Sequence, residues 1–292
     1  MSKKIDAMIV GAEKSGTTSF HRYLAGHPDI ITHDHLEMAF FVNDSEYNEG
    51  YDSAFNRYFG PHGGNGFYLA KNVGCMYFQQ AIERMHKHNQ KMRLMAMLRN
   101  PVDRAYSAYW FARQMGREDK NSFEEAIAAE ELRVASGKDC HRRYNAYLMR
   151  GLYSEQLRNM YAVFPEEQVH VVLFDEFKGG AEQVVAAAVR FLGLPPMAFA
   201  SGKKHNKTAG IRSRWIAQSL GGDSLLNGIA RAVLPHKIRY RIKSFVRKFN
   251  KTEIAIPPML PSTRERLQQY YREDILQLES MLGRSLGNWL GS

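Results

Sequence analysis

A short loop bounded by two glycines near the N-terminus constrains this chain more than any other feature. Residues 5–10 form an apolar segment, Gly11 and Gly16 bound the loop that follows, and hydroxyl residues come next. Glycines let a backbone approach a ligand closely, and the free N–H groups at the start of a helix attract an anion. The sequence therefore predicts a strand, a phosphate-binding loop and a helix, in that order.

The spacing of the two glycines matches the P-loop pattern G-x-x-x-x-G-K-[ST], with one departure. Thr17 stands where the pattern has lysine, and Lys14 supplies a lysine three residues earlier. This displacement favours a nucleotide with a 5′-phosphate group over the β/γ-phosphate and magnesium arrangement of ATP hydrolysis.

Apolar runs with strand character alternate with helical segments along most of the chain. We predict strands at residues 5–10, 30–31, 67–70, 94–98 and 169–174. We predict helices at residues 17–26, 51–59, 79–88, 102–115, 122–136, 181–192 and 262–282, and a long loop over 43–66 around the second of them. This alternation predicts an α/β fold in which a P-loop-type parallel β-sheet is flanked by helices on both faces, as a single domain over residues 1–292.

Four polar residues follow predicted strands, or nearly so: Lys14, Glu37, Lys71 and Arg99. In open parallel sheets, ligands bind beyond the carboxyl ends of the strands. We therefore expect these four side chains to converge on one edge of the sheet and to form one site.

The glycine-bounded loop and the segment that begins at Arg99 together resemble the sulfotransferases that use 3′-phosphoadenosine 5′-phosphosulfate (PAPS) as donor. The loop is similar to the family's 5′-phosphosulfate loop, and residues 99–109, RNPVDRAYSAY, resemble the segment that binds the 3′-phosphate. The resemblance implies that Arg99 and Ser107 bind that phosphate. It also implies that the 5′ side of the donor is held by Lys14, Ser15, Gly16, Thr17, Thr18 and Ser19.

A third segment, Glu37-Met38-Ala39-Phe40-Phe41, is similar to the E-x-x-F-F segment of the heparan sulfate branch of that family. The resemblance implies that Glu37 is the catalytic base and that Lys14 stabilises the leaving group. His33 and His35 are rival bases, because another branch uses a histidine, and His35 is also a candidate acceptor contact.

Two later residues are assigned by the same resemblance. Residues 205–213 are similar to the loop that closes over the donor, which implies that Arg212 assists the 3′-phosphate. Lys71 stands where the heparan sulfate branch has a lysine, but the residues after it depart from that pattern. A contact of Lys71 with donor or acceptor and a purely structural role both stay open.

The resemblance implies transfer of sulfonate from PAPS to a hydroxyl group of a small polar metabolite or a carbohydrate, by in-line displacement and without a metal. Adenosine 3′,5′-bisphosphate would be the product, and an amine acceptor stays open. The alternative is a P-loop small-molecule kinase, because Asp175 follows a hydrophobic strand as a Walker B aspartate does. The displaced lysine of the loop argues against that alternative.

Charge and composition restrict the partners. The chain has 292 residues and a formal net charge of +10, and residues 231–251 hold eight lysines and arginines with no acid. We expect residues 216–256 to form a basic helical insertion on the acceptor side; contact of 231–251 with an acidic acceptor or a membrane surface stays open. No apolar run approaches the roughly 20 residues that span a bilayer, and residues 1–4 resemble no signal peptide. We therefore expect a cytoplasmic enzyme. Nucleic-acid contact is a minor alternative for the basic segment 231–251, and we expect no nucleic-acid partner.

Overall fold

The computed structural model describes residues 3–33, 37–60, 64–137, 139–197, 210–211, 251–252 and 256–291. The chain forms two compact units. The first comprises Met1–Arg104, Leu152–Lys203 and Tyr271–Ser292, and the second comprises Ala105–Gly151 and Lys204–Tyr270.

A five-stranded parallel sheet organises the first unit. Its strands are β1 (Ala7–Gly11), β2 (Ile30–Thr32), β3 (Phe67–Lys71), β4 (Arg93–Leu98) and β5 (Val169–Leu173). They lie side by side in the order β2-β3-β1-β4-β5, and every pairing is parallel. All five residues of β1 and five of the six in β4 are buried, as expected for central strands covered on both faces.

The strand order places a reversal of direction beside β1. The chain leaves β1 for the edge strand β2, whereas it leaves β4 for β5 at the opposite edge. The carboxyl ends of β1 and β4 therefore border the crevice where open α/β sheets bind ligands.

Helices cover the sheet and complete the second unit. The first unit contains α1 (Thr17–Leu24), α2 (Asp44–Asn48), α3 (Tyr51–Phe59), α4 (Gln79–His88), α9 (Tyr153–Tyr161), α10 (Phe174–Gly179), α11 (Ala181–Phe191) and α13 (Gly287–Leu290). The second contains α6 (Phe123–Ala128), α7 (Glu130–Ala135) and α8 (Asp139–Tyr144), while α5 (Pro101–Gln114) and α12 (Pro261–Leu282) contribute residues to both. Short 3₁₀ turns occupy Cys75–Tyr77, Met149–Gly151 and Glu166–Gln168.

The two faces of the sheet bury different residues of the same strands. Ala7 and Ile9 of β1 pack in one apolar cluster with Phe20 of α1 and Val185 of α11. Because successive side chains of a strand point to opposite faces, Met8 and the other alternate residues face the other way. On that side α4 and α9 pack on each other and on the turn at Cys75–Tyr77, which also contacts β1.

A buried carboxylate organises the second unit. The Glu118 side chain is fully buried and accepts two hydrogen bonds of 2.8 Å from the Arg133 guanidinium, one of 2.6 Å from the Tyr147 hydroxyl and one of 2.7 Å from the Lys120 N–H. These bonds join the turn after α5 to α7 and to the segment before the 3₁₀ turn at Met149–Gly151. The unit also holds a two-stranded antiparallel pair, β6 (Gly210–Ile211) with β7 (Lys251–Thr252).

The α/β class and the parallel sheet flanked by helices are confirmed, and the predicted helix at 79–88 is confirmed to the residue. The prediction of one long loop over 43–66 is wrong at its start, because α2 occupies Asp44–Asn48. Asn43 caps that helix by accepting the N–H of Glu46 at 3.1 Å, a local signal that the sequence carries.

The single helix predicted from Ser122 to Ser136 is wrong in its length. Ser122 accepts the N–H of Glu125 at 3.1 Å as a cap should, but the helix ends at Ala128 and a second begins at Glu130. The buried Glu130 carboxylate accepts the N–H groups of Leu148 and Met149. Such charge-assisted bonds offset the loss of one continuous helix.

Candidate active site

The loop after β1 is closed tightly against the sheet. The Ala12 N–H donates to the Met97 carbonyl oxygen at 2.8 Å, which ties the loop to β4. Gly16, at the start of α1, has φ +88°, a conformation that side-chain-bearing residues rarely adopt. A Cβ at Gly16 would lie 2.8 Å from the Phe174 ring, so the position has room only for glycine.

The N-terminus of α1 is open to an anion. Its N-cap residue, Gly16, has no side chain that could cap the helix, and the first turn carries no acidic residue. The first N–H groups of a helix lack partners inside the helix and carry the positive end of its dipole. Thr18 and Ser19 are partly exposed there, whereas the side chains of Ser15 and Thr17 are buried. The loop therefore presents backbone N–H groups and the hydroxyl groups of Thr18 and Ser19.

Lys14 lies at the turn of this loop, half-buried and with φ +66°. Burial lowers the pKa of Lys14; the nearby Glu13 carboxylate opposes this effect, and the Arg99 guanidinium adds to it. Two positive side chains thus stand next to each other at the carboxyl ends of β1 and β4. Such a pair attracts a ligand that carries more than one negative charge.

Arg99 is fixed in place from several sides. Its guanidinium donates to the Lys14 carbonyl oxygen at 3.2 Å and lies over the Phe174 ring, with Cζ 5.1 Å from the ring centre. Its own carbonyl oxygen accepts the hydroxyl of Tyr153 at 2.9 Å. Burial raises the pKa of Tyr153 to about 12, so this hydroxyl keeps its proton and stays a donor.

Glu37 and Lys71 form a second cluster at the end of β3. The Lys71 ammonium, whose side chain is 2% exposed, is hydrogen-bonded to Oε1 of Glu37, whose side chain is 36% exposed. Oε2 of Glu37 accepts the Val73 N–H at 2.8 Å. Burial raises the pKa of Glu37, although Lys71 and the Val73 N–H act in the opposite direction. The arrangement presents an oriented carboxylate that is more basic than a fully exposed one.

The rival histidines differ in what the structure shows of them. His33 is buried, and its Nε2 accepts the Lys71 N–H at 3.1 Å, so this nitrogen supports the backbone of β3. His35 lies outside the described residues. Beside His33, burial and the Lys71 ammonium lower the pKa of His21 to about 4, which keeps that imidazole neutral.

Of the two remaining residues predicted to bind the donor, the structure describes only Ser107. Ser107 lies on α5, about two turns after Pro101 as expected, and is partly exposed. Arg212 lies outside the described residues. Most of the predicted basic insertion at 216–256 also lies outside the described residues. The structure describes only residue 256 and the two residues of β7 from it, and Lys251 of β7 is the last residue of the basic segment 231–251.

Asp175 does not stand as a Walker B aspartate would. Its Oδ2 accepts the indole N–H of Trp289 at 3.2 Å and the Asn288 amide at 3.4 Å. The carboxylate therefore anchors the C-terminal segment. Sequence reasoning identified Asp175 by its strand but missed Trp289, Tyr153 and Phe174, since each meets the Arg99 corner only through long-range folding.

Neither a metal-binding cluster nor a membrane-spanning helix occurs among the described residues. The described part of the chain contains no group of three His, Cys, Asp or Glu side chains that could hold a metal ion. Within the same residues, no helix combines the length and the apolar character needed to cross a membrane.

Comparisons with known proteins agree on one family. A family model described as "Sulfotransferase domain" matches residues 4–279. The chain is 26% identical over 302 residues to human "Bifunctional heparan sulfate N-deacetylase/N-sulfotransferase 3", with 97% of this chain and 31% of the relative covered. It is 25% identical over 302 residues to mouse "Bifunctional heparan sulfate N-deacetylase/N-sulfotransferase 1", with 97% and 30% covered. The chain thus spans about a third of the length of these relatives.

A solved structure shares the fold across its whole length. The sulfotransferase from Alicyclobacillus acidocaldarius superposes with a TM-score of 0.67 at 25% identity, covering 99% of each chain. The likeness therefore includes both the sheet and the segments that follow its strands.

Proposed function

The chain belongs to the sulfotransferase domain family, and from this membership we propose that it uses PAPS to sulfate a hydroxyl group of a small polar metabolite or a carbohydrate. The same membership argues against the small-molecule kinase. The proposal keeps residues 1–292 as one catalytic domain, a cytoplasmic location, no metal and no nucleic-acid partner.

The residues at the carboxyl ends of β1 and β4 fit such a donor. The uncapped N-terminus of α1 and the close approach allowed by Gly16 suit a 5′-phosphate, and Arg99 provides a fixed positive charge for a second phosphate. We assign the 5′ side to Lys14–Ser19, the 3′-phosphate to Arg99 and Ser107, and a supporting role there to Arg212. When bound, the donor supplies a sulfuryl group on a good leaving group.

The chain's own residues would then perform two tasks. Glu37 takes the proton of the acceptor hydroxyl while the oxygen of that hydroxyl forms its bond to sulfur. Lys14 stabilises the negative charge that appears on the phosphate oxygen when the old S–O bond breaks and that oxygen keeps the electron pair. The proton ends on Glu37, and adenosine 3′,5′-bisphosphate leaves.

The single observation that carries the proposal is the environment of Glu37. A base must keep a lone pair available and be held in one orientation. Lys71 and the Val73 N–H each engage one carboxylate oxygen, while a third of the side chain stays exposed. This environment supports Glu37 as the base and gives Lys71 the role of orienting it; His35 stays a candidate acceptor contact.

The first experiment tests the donor. Calorimetric titration should show that adenosine 3′,5′-bisphosphate binds more tightly than 5′-AMP or ATP. Tighter binding of ATP would contradict the proposed donor.

The second experiment separates the chemistry of Glu37 from its structural role. Glu37→Gln leaves the buried Lys71 ammonium without its negative partner and so costs stability as well as activity. The double variant Glu37→Gln/Lys71→Met removes the buried charge too. We expect it to regain stability in urea unfolding while turnover stays about 10²–10⁴-fold below wild type. Recovery of turnover in the double variant would remove Glu37 from the base role.

A second candidate acceptor is an amine, because the similar human and mouse proteins are named N-sulfotransferases. Paired oligosaccharide acceptors that differ only in a free or an acetylated amino group distinguish the two. Sulfation of both assigns a hydroxyl acceptor, and sulfation of the free amine alone assigns the amine.

A further inference from the structure

The C-terminal segment, defined here as residues 284–290, folds back against β5 and α10. The Arg284 guanidinium donates to the Val171 carbonyl oxygen at 3.0 Å and pairs with the Glu176 carboxylate. The Leu286 N–H donates to Glu279 of α12. The polar contacts of Arg284 and Leu286 therefore hold the segment in place independently of Trp289.

Trp289 is the buried centre of this segment. Its side chain is about 1% exposed, and its indole N–H donates to Asp175, the second residue of α10. Its ring meets the Tyr153 ring edge-on, with the centres 6.3 Å apart. Its carbonyl oxygen accepts the Asn100 amide at 3.4 Å. One residue thus contacts β5–α10, α9 and the corner after β4.

Two of these contacts lead directly to Arg99. Tyr153, which packs on the Trp289 ring, donates its hydroxyl to the Arg99 carbonyl oxygen. Asn100, which bonds to the Trp289 carbonyl, follows Arg99 in the chain and caps α5 by accepting the N–H groups of Val102 and Asp103. Trp289 therefore supports the Arg99 backbone from both sides.

The same corner lines a cavity. A space of about 270 Å³ is bordered by Arg99, Asn100, Lys178, Asn288 and Trp289, among others. Arg99 and Lys178 supply positive charge to this space and Asp103 and Asp175 negative charge, and the C-terminal segment forms one wall. A group that enters this space meets Arg99 in the orientation that Trp289 and its partners maintain.

We propose that Trp289 is a positioning residue for Arg99, and that the C-terminal segment thereby sets how strongly this protein prefers a nucleotide with a 3′-phosphate. The inference rests on the proposed function, in which Arg99 binds that phosphate. Small displacements of a binding group cost large factors in affinity, so the support beneath Arg99 determines the preference.

The test compares two ligands that differ only in the 3′-phosphate. Calorimetry gives the dissociation constants of adenosine 3′,5′-bisphosphate and of 5′-AMP for wild type, Trp289→Phe, Trp289→Ala and Asp175→Asn. We expect Trp289→Phe, which keeps a ring but loses the indole N–H, to reduce the preference for the bisphosphate about tenfold. Trp289→Ala should reduce the preference further. Asp175→Asn should reduce it less, because asparagine still accepts the indole N–H and the variant also removes a negative charge from the space that Arg99 lines. The affinity for 5′-AMP should change by less than about threefold in each variant.

A matched control excludes a general loss of stability. Ile82→Ala creates a cavity in the buried face of α4 and should lower the urea midpoint while leaving the ligand preference unchanged. If Trp289→Ala does not fold, Trp289→Phe and Asp175→Asn carry the test.

The outcomes separate the two proposals. A wild-type preference that survives in all folded Trp289 and Asp175 variants overturns this inference and leaves the proposed function intact. A wild-type protein without any preference for the 3′-phosphate overturns both. A preference lost equally in the Ile82→Ala control also overturns the positioning role.

Discussion

The guanidinium of Arg99 donates a hydrogen bond to the backbone carbonyl oxygen of Lys14 across 3.2 Å. The two residues are 85 positions apart, yet each follows one of two neighbouring strands, β1 and β4. Arg99 also covers the Phe174 ring that closes against Gly16. The guanidinium therefore shapes the phosphate-binding loop in addition to supplying positive charge.

Arg99→Lys keeps the charge but loses the planar fork that reaches both the Lys14 carbonyl and a phosphate. Loss of charge-assisted hydrogen bonds of this kind costs about 1.5–3 kcal/mol, so the dissociation constant of adenosine 3′,5′-bisphosphate should rise about 10- to 140-fold. Arg22→Lys, at an exposed position of α1, is the calorimetric control. Wild-type affinity in Arg99→Lys would mean that positive charge alone suffices there.

Lys14→Asn tests the leaving-group role without disturbing the loop. Lys14 has φ +66°, and asparagine is one of the few residues that accept this conformation. Removing a charge aimed at a leaving group costs about 10²–10³ in kcat. We expect that loss together with a smaller change in affinity for adenosine 3′,5′-bisphosphate. Parallel losses in turnover and affinity would instead indicate that the loop has collapsed.

Gly16→Ala combines backbone strain with a steric clash, and Gly283→Ala separates the two. Both glycines have positive φ, +88° and +59°, but among the described residues nothing lies within 4 Å of a Cβ at Gly283, whereas Phe174 lies 2.8 Å from one at Gly16. The strain costs about 1–3 kcal/mol at either site, and overpacking adds about 1–3 kcal/mol at Gly16. Urea unfolding should therefore rank Gly16→Ala as the more damaging. Equal losses would show that the Phe174 ring moves aside without cost.

The Glu118 cluster should make stability depend on acid pH. Burial alone would raise the pKa of Glu118, but hydrogen bonds from Arg133, Tyr147 and the Lys120 N–H lower it to about 2. A folded-state pKa below the unfolded value of about 4.5 contributes stability that is complete above pH 4.5 and is lost as pH falls towards 2.

Glu118→Gln should abolish that part of the pH dependence. The variant leaves the Arg133 guanidinium with the exposed Asp119 carboxylate as its remaining ion-pair partner, which costs up to about 3–5 kcal/mol at neutral pH in urea unfolding. Glu49→Gln, which breaks an exposed pair with Arg57, should cost less than about 1 kcal/mol. A similar small cost for both variants would contradict the role given to the buried cluster.

The sequence predicted those parts of the fold and site that depend on neighbours in the chain. Buried strands such as β4 carry continuous apolar runs, and the glycines of the loop mark a conformation and a close approach that other residues cannot supply. A strand, a proline and a helix fix the spacing of Arg99 and Ser107 locally, whereas the role predicted for the two residues came from the resemblance to the family.

Contacts between distant segments could not be predicted in the same way. Lys71 and Glu37 were each identified, but their pairing depends on how the chain between β2 and β3 returns to the sheet. Trp289 carries no local signal that it supports Arg99, since nearly 190 residues separate it from Asn100. From the sequence alone, an aromatic residue near a C-terminus is interpreted as part of a hydrophobic core. Only the folded structure shows which polar groups it contacts.

The pH dependence of turnover should report Glu37 and Lys14 as opposite limbs. Burial raises the pKa of Glu37 above its ordinary value of 4.5, and burial lowers the pKa of Lys14 below its ordinary value of 10.5. The base must be deprotonated and the cation protonated, so kcat/KM should follow a bell-shaped pH profile. We expect the midpoint of the acid limb to lie above pH 4.5 and the midpoint of the alkaline limb to lie below pH 10.5. Lys14→Arg should move the alkaline limb upward, because a guanidinium keeps its proton at higher pH. An alkaline limb that stays in place in Lys14→Arg would assign that titration to a group other than Lys14.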